Sequence, residues 1–536
     1  MVSDPGPADL IVVGAAVHTL EGDAAAEAVA IRGDRFVFVG SADEAMALHG
    51  PATEVLDAAG ATLLPGLIDA HLHLTSLGFD LQRARLECLN SYEELVASVA
   101  AFARGSTDAW ILGGGWDQNR WPGKAFPTHA ALTAAIPDRP VALSRVDRHA
   151  VLVNARAMAV AGIDRSTPEP AGGRILRDAY GDPTGVFVDA AAALIHAKIP
   201  RPAHDELVRA TRAAIRECNR WGVTAVAEPG IDDAALAAHE ELIERGEYTI
   251  RNHAMLADDA ELLAAHLRRG MVDGAYGGRL WVRAIKMYAD GALGSRGAAL
   301  LAPYSDDPAT SGFILTPQAH IEGVTQRGLR AGFQVCTHAI GDRANRMVLD
   351  AYESALRSAP AGDLRLRIEH AQVLDPQDVP RFARLGVIAS VQSAQHASDL
   401  AWTTARLGAE RLPRAYAWRS LLDSGATVAN GTDAPVEPVS PSRTFHAAIS
   451  RADGRCMTRR EALASMTIWA ARANFQDGVV GSIALGKYAD FVILDRDWMS
   501  VPPEEILPTK VLATYFGGRR VYAAERRSAA LRRPAR

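Results

Sequence analysis

The sequence predicts an α/β fold built around a (β/α)8 TIM barrel. Three observations support this prediction: eight short apolar runs have strand character, helical segments separate most of them, and several runs end in an ionisable or metal-binding side chain. In barrels of this kind the functional residues lie at the carboxyl ends of the strands. The run endings are therefore the first place to look for chemistry.

The predicted strands are continuous or alternating apolar runs bounded by glycine, proline or polar residues, which is the pattern of buried strands. Helical spacing is clearest at residues 93–105, 205–222 and 233–246. In chain order, the strand candidates are LLPGLIDAHLHL, VTAVAEPG, YTIRNHAML, VRAIKMYADG, FQVCTHAIGD, LRIEHAQ, GVIASVQSAQH and ATVANGTDAP.

Two further parts are predicted around the barrel, which would occupy residues 63–478. Strand-turn-strand patterns at both ends of the chain predict a small β-sandwich domain formed from residues 1–62 and 479–536. The stretch at about 75–205 is much longer than a normal crossover between two barrel strands. It predicts a subdomain inserted after the first strand.

Composition limits the partners and the compartment. The 536 residues are 48% hydrophobic and 22% charged, as in soluble globular proteins, and the net charge of −6 provides no basic surplus for nucleic acid. No run approaches the roughly 20 apolar residues that cross a membrane, and no secretory signal pattern opens the chain. The four cysteines are far apart and indicate free thiols. We therefore expect a cytoplasmic protein that binds neither nucleic acid nor membranes.

Metal-binding side chains close five of the predicted strands. His71 and His73 stand two apart at the end of the first run, so both imidazoles project from one face of a strand. A lone histidine of this kind is more often a packed core residue, but six suitable groups at five strand ends favour a metal centre. Imidazole ligands suit zinc or a similar divalent ion. The other four groups are Lys286 (IKMYAD), His338 (VCTHAIGD), His370 (RIEHAQ) and Asp433 (NGTDAP).

Asp433 and Lys286 have more than one reading. A carboxylate at the end of the last strand can ligate a metal, and it can also take a proton from metal-bound water, whose pKa the metal lowers to about 7. A protonated lysine is a poor ligand. If Lys286 is N6-carboxylated, its new carboxylate can bridge two cations; a substrate contact or a buried ion pair is the alternative.

These motifs resemble the amidohydrolase superfamily, and specifically its family 3 branch, which includes N-substituted formamide deformylases. The resemblance runs through nearly the whole chain, and the combination of motifs is specific although no single motif is. The segments that carry it are PGLIDAHLHL (65–74), GGGWDQNRW (113–121), IKMYADGALGSRGAAL (285–300), THAIGDRAN (337–345), RIEHAQ (367–372), GTDAPVEP (431–438) and GSIALGKYADFVILDRD (481–497).

The resemblance implies a centre with one or two divalent metal ions, zinc being the first expectation, and a homodimer. It also implies that Asp433 acts as general base and then delivers a proton to the leaving group. The implied ligands are His71, His73 and Asp433 for the more buried ion, His338 and His370 for a second ion, and carbamylated Lys286 as the bridge.

Two positions depart from the family pattern. The second strand ends in AEPG (227–230), where the family often has His-Asp before a small residue and glycine, so substrate contacts near Glu228 are expected to differ. Arg148 stands where the family usually has glycine. A long cation there could point into the pocket and favour an anionic substrate, or it could be solvated or paired with Asp147.

Six side chains are candidates for shaping the substrate site. Trp116 offers an apolar face beside glycines that allow close approach, with packing of the insertion as the alternative. Arg296 follows the lysine strand and could clamp a carboxylate, with a structural ion pair as the alternative. Gln392 and His396, which follow the seventh strand, could bind substrate or support a ligating histidine. The full set is Trp116, Asp117, His149, Arg296, Gln392 and His396.

The predicted function is hydrolysis of a C–N bond other than a peptide bond. The small-molecule substrate would be an amide, N-formyl amine, carbamate or cyclic amide, attacked by metal-activated hydroxide with Asp433 transferring the proton. An ester or lactone hydrolase and a metal-dependent decarboxylase are alternatives on the same site. A non-catalytic regulatory protein is a third, and it is disfavoured because all six ligand positions are filled.

Overall fold

The computed structural model describes residues 6–22 and 26–524. Strands are numbered along the chain. They are β1 (Leu10–Val13), β2 (Ala16–Val17), β3 (Ala28–Arg32), β4 (Arg35–Gly40), β5 (Glu54–Asp57), β6 (Thr62–Pro65), β7 (Leu67–Asp69), β8 (Ala84–Arg85), β9 (Ile111–Trp116), β10 (Val141–Arg145), β11 (Ala150–Val153), β12 (Gly173–Arg177), β13 (Pro183–Asp189), β14 (Val223–Ile231), β15 (Arg251–Ala257), β16 (Val272–Gly274), β17 (Leu280–Tyr288), β18 (Gln334–Ala339), β19 (Arg367–His370), β20 (Ile388–Val391), β21 (Val428–Asn430), β22 (Phe491–Leu494), β23 (Val511–Phe516) and β24 (Arg519–Ala523).

The helices are numbered in the same way. They are α1 (Ala42–Met46), α2 (Leu74–Asp80), α3 (Tyr92–Gly105), α4 (Ala130–Ala135), α5 (Ala155–Ala161), α6 (Ala192–His196), α7 (His204–Arg220), α8 (Asp233–Glu244), α9 (Ala260–Arg269), α10 (Ala275–Gly278), α11 (Gln318–Arg330), α12 (Asp342–Leu356), α13 (Val379–Leu385), α14 (Ser393–Arg411), α15 (Trp418–Asp423), α16 (Pro441–Ile449), α17 (Arg459–Ser465) and α18 (Ile468–Ala473).

Eight parallel strands form a nearly closed barrel, which confirms the predicted barrel. They pair in the order β7-β14-β15-β17-β18-β19-β20-β21, and β16 adds antiparallel to β17. Backbone bonds bridge the remaining opening just past the two outer strands: the Ala70 N–H donates to the Asn430 carbonyl (3.2 Å) and the Asp433 N–H to the His71 carbonyl (2.7 Å). The residues after β7 and β21 are therefore neighbours at the carboxyl end of the barrel.

The barrel strands are buried on both faces because helices cover them outside and side chains fill them inside. Every residue of β18 and β19 is buried, for example. This explains why the sequence shows continuous apolar runs here instead of strict alternation. The surrounding helices bury one side only; α7 buries Leu207, Ala214 and Cys218 and leaves its charged residues outside.

A second sheet of six strands lies between β7 and β14 along the chain, in the order β12-β13-β11-β10-β9-β8. It falls within the stretch that the sequence assigns to an insertion, and helices α3, α4 and α5 are interspersed with its strands. Two buried apolar clusters pack this region. The domain boundaries themselves stay a prediction.

Strands from both ends of the chain meet in a five-stranded sheet of order β2-β6-β22-β23-β24, next to a four-stranded sheet of order β4-β3-β1-β5. A buried ion pair ties the five-stranded sheet to the barrel: the Arg251 guanidinium donates to both oxygens of Asp490 at 2.6 and 2.9 Å. All four cysteines are free. Within residues 6–22 and 26–524, no helix combines the length and apolar character that crossing a bilayer requires.

Candidate metal centre

Three side chains meet where the barrel closes. His71 and His73 follow β7, and Asp433 follows β21, so the bonds that bridge the barrel bring them together. Asp433 Oδ1 lies 3.5 Å from His71 Nε2 and 3.4 Å from His73 Nε2. One ligand atom from each residue lies within 4.8 Å of the other two, as a shared metal ion requires.

The other three predicted ligands stand beside this group. Lys286 Nζ, on β17, lies 3.5 Å from His71 Nε2. The His370 ring lies 5.0 Å from the His71 ring and 4.5 Å from the His338 ring, measured between centroids. His338 Nε2 is 3.5 Å from Asp290 Oδ1. All six predicted ligand positions thus lie in one series of contacts at the carboxyl end of the barrel.

Buried partners orient two of the imidazoles. His71 Nδ1 is 2.6 Å from Glu369 Oε2, and Arg367 donates to Glu369 from the other side at 2.8 Å. His370 Nδ1 is 2.7 Å from Gln392 Oε1. Since Nδ1 of each ring is occupied, Nε2 is the nitrogen left to bind a metal.

The protonation states suit metal binding. Burial lowers the pKa of His71 to about 4 and that of His370 to about 3, so both imidazoles are neutral near pH 7. Burial also lowers the pKa of Lys286 to about 8, which increases the neutral amine fraction that carboxylation needs. For Asp433, burial opposes ionisation, but the hydrogen bond with His73 and the neighbouring imidazoles outweigh it and lower the pKa. Asp433 is therefore a carboxylate.

Two of these residues hold unusual backbone angles. His370 has φ of 74° and Asp433 has φ of 59°, both in the left-handed region that residues other than glycine seldom adopt. Such a conformation costs on the order of 1–3 kcal/mol and persists where the surrounding structure fixes it. The chain leaves β19 and β21 with a sharp bend that turns each side chain towards the centre.

The cluster opens into a cavity of about 530 Å³. Its wall combines residues from the barrel ends, including Tyr288 and Asp433, with residues of the six-stranded sheet and its loops, including Asp117 and His149. Cavities of this size hold small molecules.

Asp117 and His149 are the two predicted substrate residues that line this cavity. Asp117 Oδ1 accepts a bond from Arg145 at 2.6 Å. His149 Nδ1 is 2.7 Å from Asp189 Oδ1, and its ring lies 5.4 Å from the His338 ring. His149 is therefore held beside the candidate metal ligands by a residue of β13.

Trp116 lies elsewhere, and we correct the expectation that it forms the pocket wall. Its side chain is fully buried, its indole N–H donates to the Leu143 carbonyl at 2.7 Å, and its ring stacks on Trp121. The neighbour Asp117 points to the cavity instead. Successive side chains of an extended segment alternate in direction, so one of the two had to face inward.

We also correct the expectation that Arg296 and His396 contact the substrate, because neither side chain lines the cavity. Arg296 donates to both oxygens of Asp306 at 3.2 and 3.1 Å, which is the structural ion pair. The His396 ring packs edge-on against Tyr416 and Trp418. Gln392, as described, supports His370 rather than facing substrate.

The two residues that differ from the family pattern, Glu228 and Arg148, lie in different surroundings. Glu228 is buried, where it accepts bonds from the Thr75 backbone and hydroxyl at 2.9 Å each and from Asn252 at 2.7 Å, and it does not line the cavity. Arg148 does line the cavity. Its ion partner is Asp80, not Asp147.

Several residues that line the cavity were not predicted from the sequence. Gln395 Nε2 donates to Asp433 Oδ2 at 3.2 Å, and the Tyr288 ring lies 4.7 Å from Lys286 Nζ. Tyr288 stands two residues after Lys286 on one strand, so the period of two could have identified it. His196 lines the exposed rim of the cavity, whereas the helical pattern of its segment predicted only a surface position.

Known proteins share this architecture. A family model described as "Amidohydrolase family" matches residues 54–522. The chain is 32% identical to YtcJ of Bacillus subtilis (strain 168), named as an amidohydrolase, over 95% of this chain and 98% of the relative. It is 29% identical to the N-substituted formamide deformylase of Arthrobacter pascens, over 95% and 97%. The crystal structure of an uncharacterized metal-dependent hydrolase from Pyrococcus furiosus matches with a TM-score of 0.74 and 29% identity, over 92% and 100%. The chain therefore belongs to the amidohydrolase family.

Proposed function

We propose that this protein is a metal-dependent hydrolase that cleaves a C–N bond in a small amide, N-formyl amine, carbamate or cyclic amide. The observation that carries the proposal is the meeting of His71, His73 and Asp433 at the carboxyl end of the barrel, open to a cavity. The relative that is named for deformylation of N-substituted formamides supports a C–N bond.

The donor set fits a divalent cation, and zinc is the ion we propose. It combines imidazole nitrogens with a carboxylate oxygen, and Glu369 holds His71 from behind, as carboxylates do for zinc-binding histidines. Once bound, such an ion polarises a substrate carbonyl and lowers the pKa of a water molecule. We propose His338 and His370 for a second ion, with N6-carboxylated Lys286 as the bridge.

Asp433 is the proposed proton carrier. Its Oδ1 faces His71 and His73, its Oδ2 accepts a bond from Gln395, and its carboxylate lines the cavity. In this position it accepts a proton from the attacking water and returns it to the leaving nitrogen. We propose that His149, which is held by Asp189 and lines the cavity, contacts the substrate carbonyl.

The test compares the zinc-loaded wild type with Asp433→Asn on a panel of N-formyl, N-acyl and cyclic amides. We expect the variant to lose about 10²–10⁴-fold in kcat, the usual effect of removing a general base, while retaining its circular-dichroism spectrum. Asp182→Asn, in an exposed ion pair with Arg165, is the control and should stay within twofold. Near-normal turnover by Asp433→Asn would contradict the proposal. Faster cleavage of matched esters, or release of carbon dioxide, would favour the other reactions.

A further inference from the structure

Two arginines form a distinct part of the cavity wall. Arg83, just after α2, and Arg148, just after β10, both line the cavity onto which the candidate metal ligands open. Burial and the nearby charge of Arg148 lower the pKa of Arg83, as expected when two guanidinium groups lie close together. The proposed hydrolysis gives this pair no role.

Arg148 occupies a costly position. Its φ of 63° lies in the left-handed region, which favours glycine. Its guanidinium lies over Gly114, where an added Cβ would stand 2.6 Å from Nη1 and 3.1 Å from Cζ. The positive charge of Arg148 at the cavity wall therefore requires a strained backbone at residue 148 and a residue without a side chain at Gly114.

The pair has a surplus positive charge and unused donors. Arg148 is paired with Asp80, and the buried Nε of Arg148 has no hydrogen-bond partner. The Arg83 guanidinium stacks over the Phe79 ring at 4.6 Å, and within the described chain it forms no hydrogen bond or ion pair. Two cations thus share one close carboxylate, Asp80, beside an open cavity.

Several other charged groups around the cavity are held by partners of their own. Glu87 lies over Gly115 of β9, the glycine that follows the one under Arg148. Its carboxylate is 3.5 Å from the Arg85 guanidinium. Arg145 donates to both Asp117 and Asp147, so this group has one carboxylate in excess but holds both of its aspartates by its own bonds, and Arg443 lies 3.4 Å from Glu437. More distant carboxylates that act on Arg83, such as Glu206, already bond elsewhere.

We propose that Arg83 and Arg148 bind a carboxylate of the substrate, so that the amide hydrolysed here carries an acid group away from its scissile bond. Guanidinium groups bind carboxylates through paired N–H donors. Arg83, Arg148 and Asp80 together carry one surplus positive charge, which matches a carboxylate monoanion better than a phosphate dianion. The inference rests on the proposed function for the identity of the reaction, but the binding of the carboxylate can be measured without turnover.

The test uses two probes that differ in one group: N-formylphenylalanine and N-formylphenethylamine, which lacks the carboxylate. Calorimetry with the zinc-loaded enzyme gives their dissociation constants, and kinetics gives kcat/KM. We expect the wild type to favour the acid. Arg148→Gly and Arg83→Met should weaken binding of the acid about 10- to 100-fold, the usual loss for hydrogen bonds between charged groups, and leave the neutral probe within twofold.

The variants are chosen to preserve the fold. Glycine is unstrained at the φ of residue 148, and methionine keeps an apolar stem over Phe79 at residue 83. Arg165→Gly removes an exposed cation of the same region and is the matched control. Inorganic phosphate, added as a competitor, should displace the acid weakly; displacement as strong as by acetate would contradict the monoanion.

The two proposals fail in different ways. If the acid binds in an Arg148-dependent manner but neither probe is hydrolysed, the carboxylate site stands and the proposed reaction falls. If both probes are hydrolysed equally well, the reaction stands and the carboxylate site falls. Absence of measurable binding of the acid also overturns the carboxylate site. So does a preference for the acid that survives both arginine substitutions, because the carboxylate would then bind elsewhere, for example directly to the metal.

Discussion

His71 shows how one side chain is prepared for metal binding. Its ring is completely buried, and Glu369 accepts the Nδ1 proton at 2.6 Å while Arg367 neutralises Glu369. Burial by itself raises the pKa of Glu369, but the charges of Arg367 and His71 outweigh this effect, lower the pKa well below its usual range and keep Glu369 ionised. The ligand Nε2 is thus fixed in direction and in tautomer.

Replacing Glu369 by glutamine tests this support. The amide keeps the shape but loses the negative charge, so we expect zinc affinity to fall about 10- to 100-fold, with activity largely recovered at saturating zinc. Competition with a fluorescent chelator measures the affinity. Glu241→Gln alters another glutamate-histidine pair, with His204 on the surface, and should leave zinc binding unchanged. Equal zinc affinity in both variants would show that Glu369 does not support the ligand.

The candidate metal ligands could be predicted from the sequence better than the residues around them. Spacing alone placed His71 and His73 on one face, and strand endings identified Asp433. Glu369 escaped because its partner is distant in sequence, and an acidic residue beside His370 carries no local signal. Trp116 and Asp117 are adjacent, and the glycine-rich segment around them does not indicate which of the two faces the cavity.

At the scale of elements, helix α2 links the centre to the outer layer. His73 stands immediately before α2, and the helix packs against α7 with Gly78 at the contact. A Cβ on Gly78 would overlap the backbone carbonyl of Ala210. The absence of a side chain there allows the two helices to approach, which in turn sets the position of His73.

Gly78→Ala should therefore separate the helices. We expect the free energy of unfolding to fall by about 1–3 kcal/mol, the usual cost of overpacking a core, together with lower kcat through displacement of His73. Chemical denaturation and steady-state kinetics measure the two effects. Gly105→Ala at the end of α3 has nothing within 4 Å of the new Cβ and serves as the control. A Gly78→Ala protein as stable as the control would refute the close contact.

Element boundaries were harder to predict than element types. The first run, LLPGLIDAHLHL, predicts one strand, but the structure divides it at Gly66. Strand β6 pairs with β22 in the five-stranded sheet, whereas β7 pairs with β14 in the barrel. A continuous apolar run cannot reveal this division, because both halves are buried and only their long-range partners differ.

On the scale of the whole molecule, the candidate centre joins distant parts of one chain. Strands β7, β17, β18, β19 and β21 supply or precede its side chains, so the centre exists only when the full barrel has formed. Sequence reasoning predicted the barrel because each unit is local. It could not predict which cavity wall the six-stranded sheet supplies, since that depends on packing between separate sheets.

Metal binding should consequently stabilise the entire fold. A ligand that binds only the folded state stabilises it by about 4 kcal/mol at 1,000 times its Kd. We expect chelator-treated protein to unfold at a lower temperature than zinc-loaded protein in differential scanning calorimetry. The double variant His71→Ala/His73→Ala should show no difference between the two conditions. An equal zinc effect in that variant would mean that zinc binds elsewhere.

The bridge between the carboxyl ends of β7 and β21 has a consequence during synthesis. A ribosome releases the two histidines early, yet the aspartate that completes their site is translated hundreds of residues later. A nascent chain can therefore hold at most a partial set of donors. If the centre binds a metal as we propose, tight binding requires the closed barrel, so newly made molecules should gain the site in one late step and not gradually.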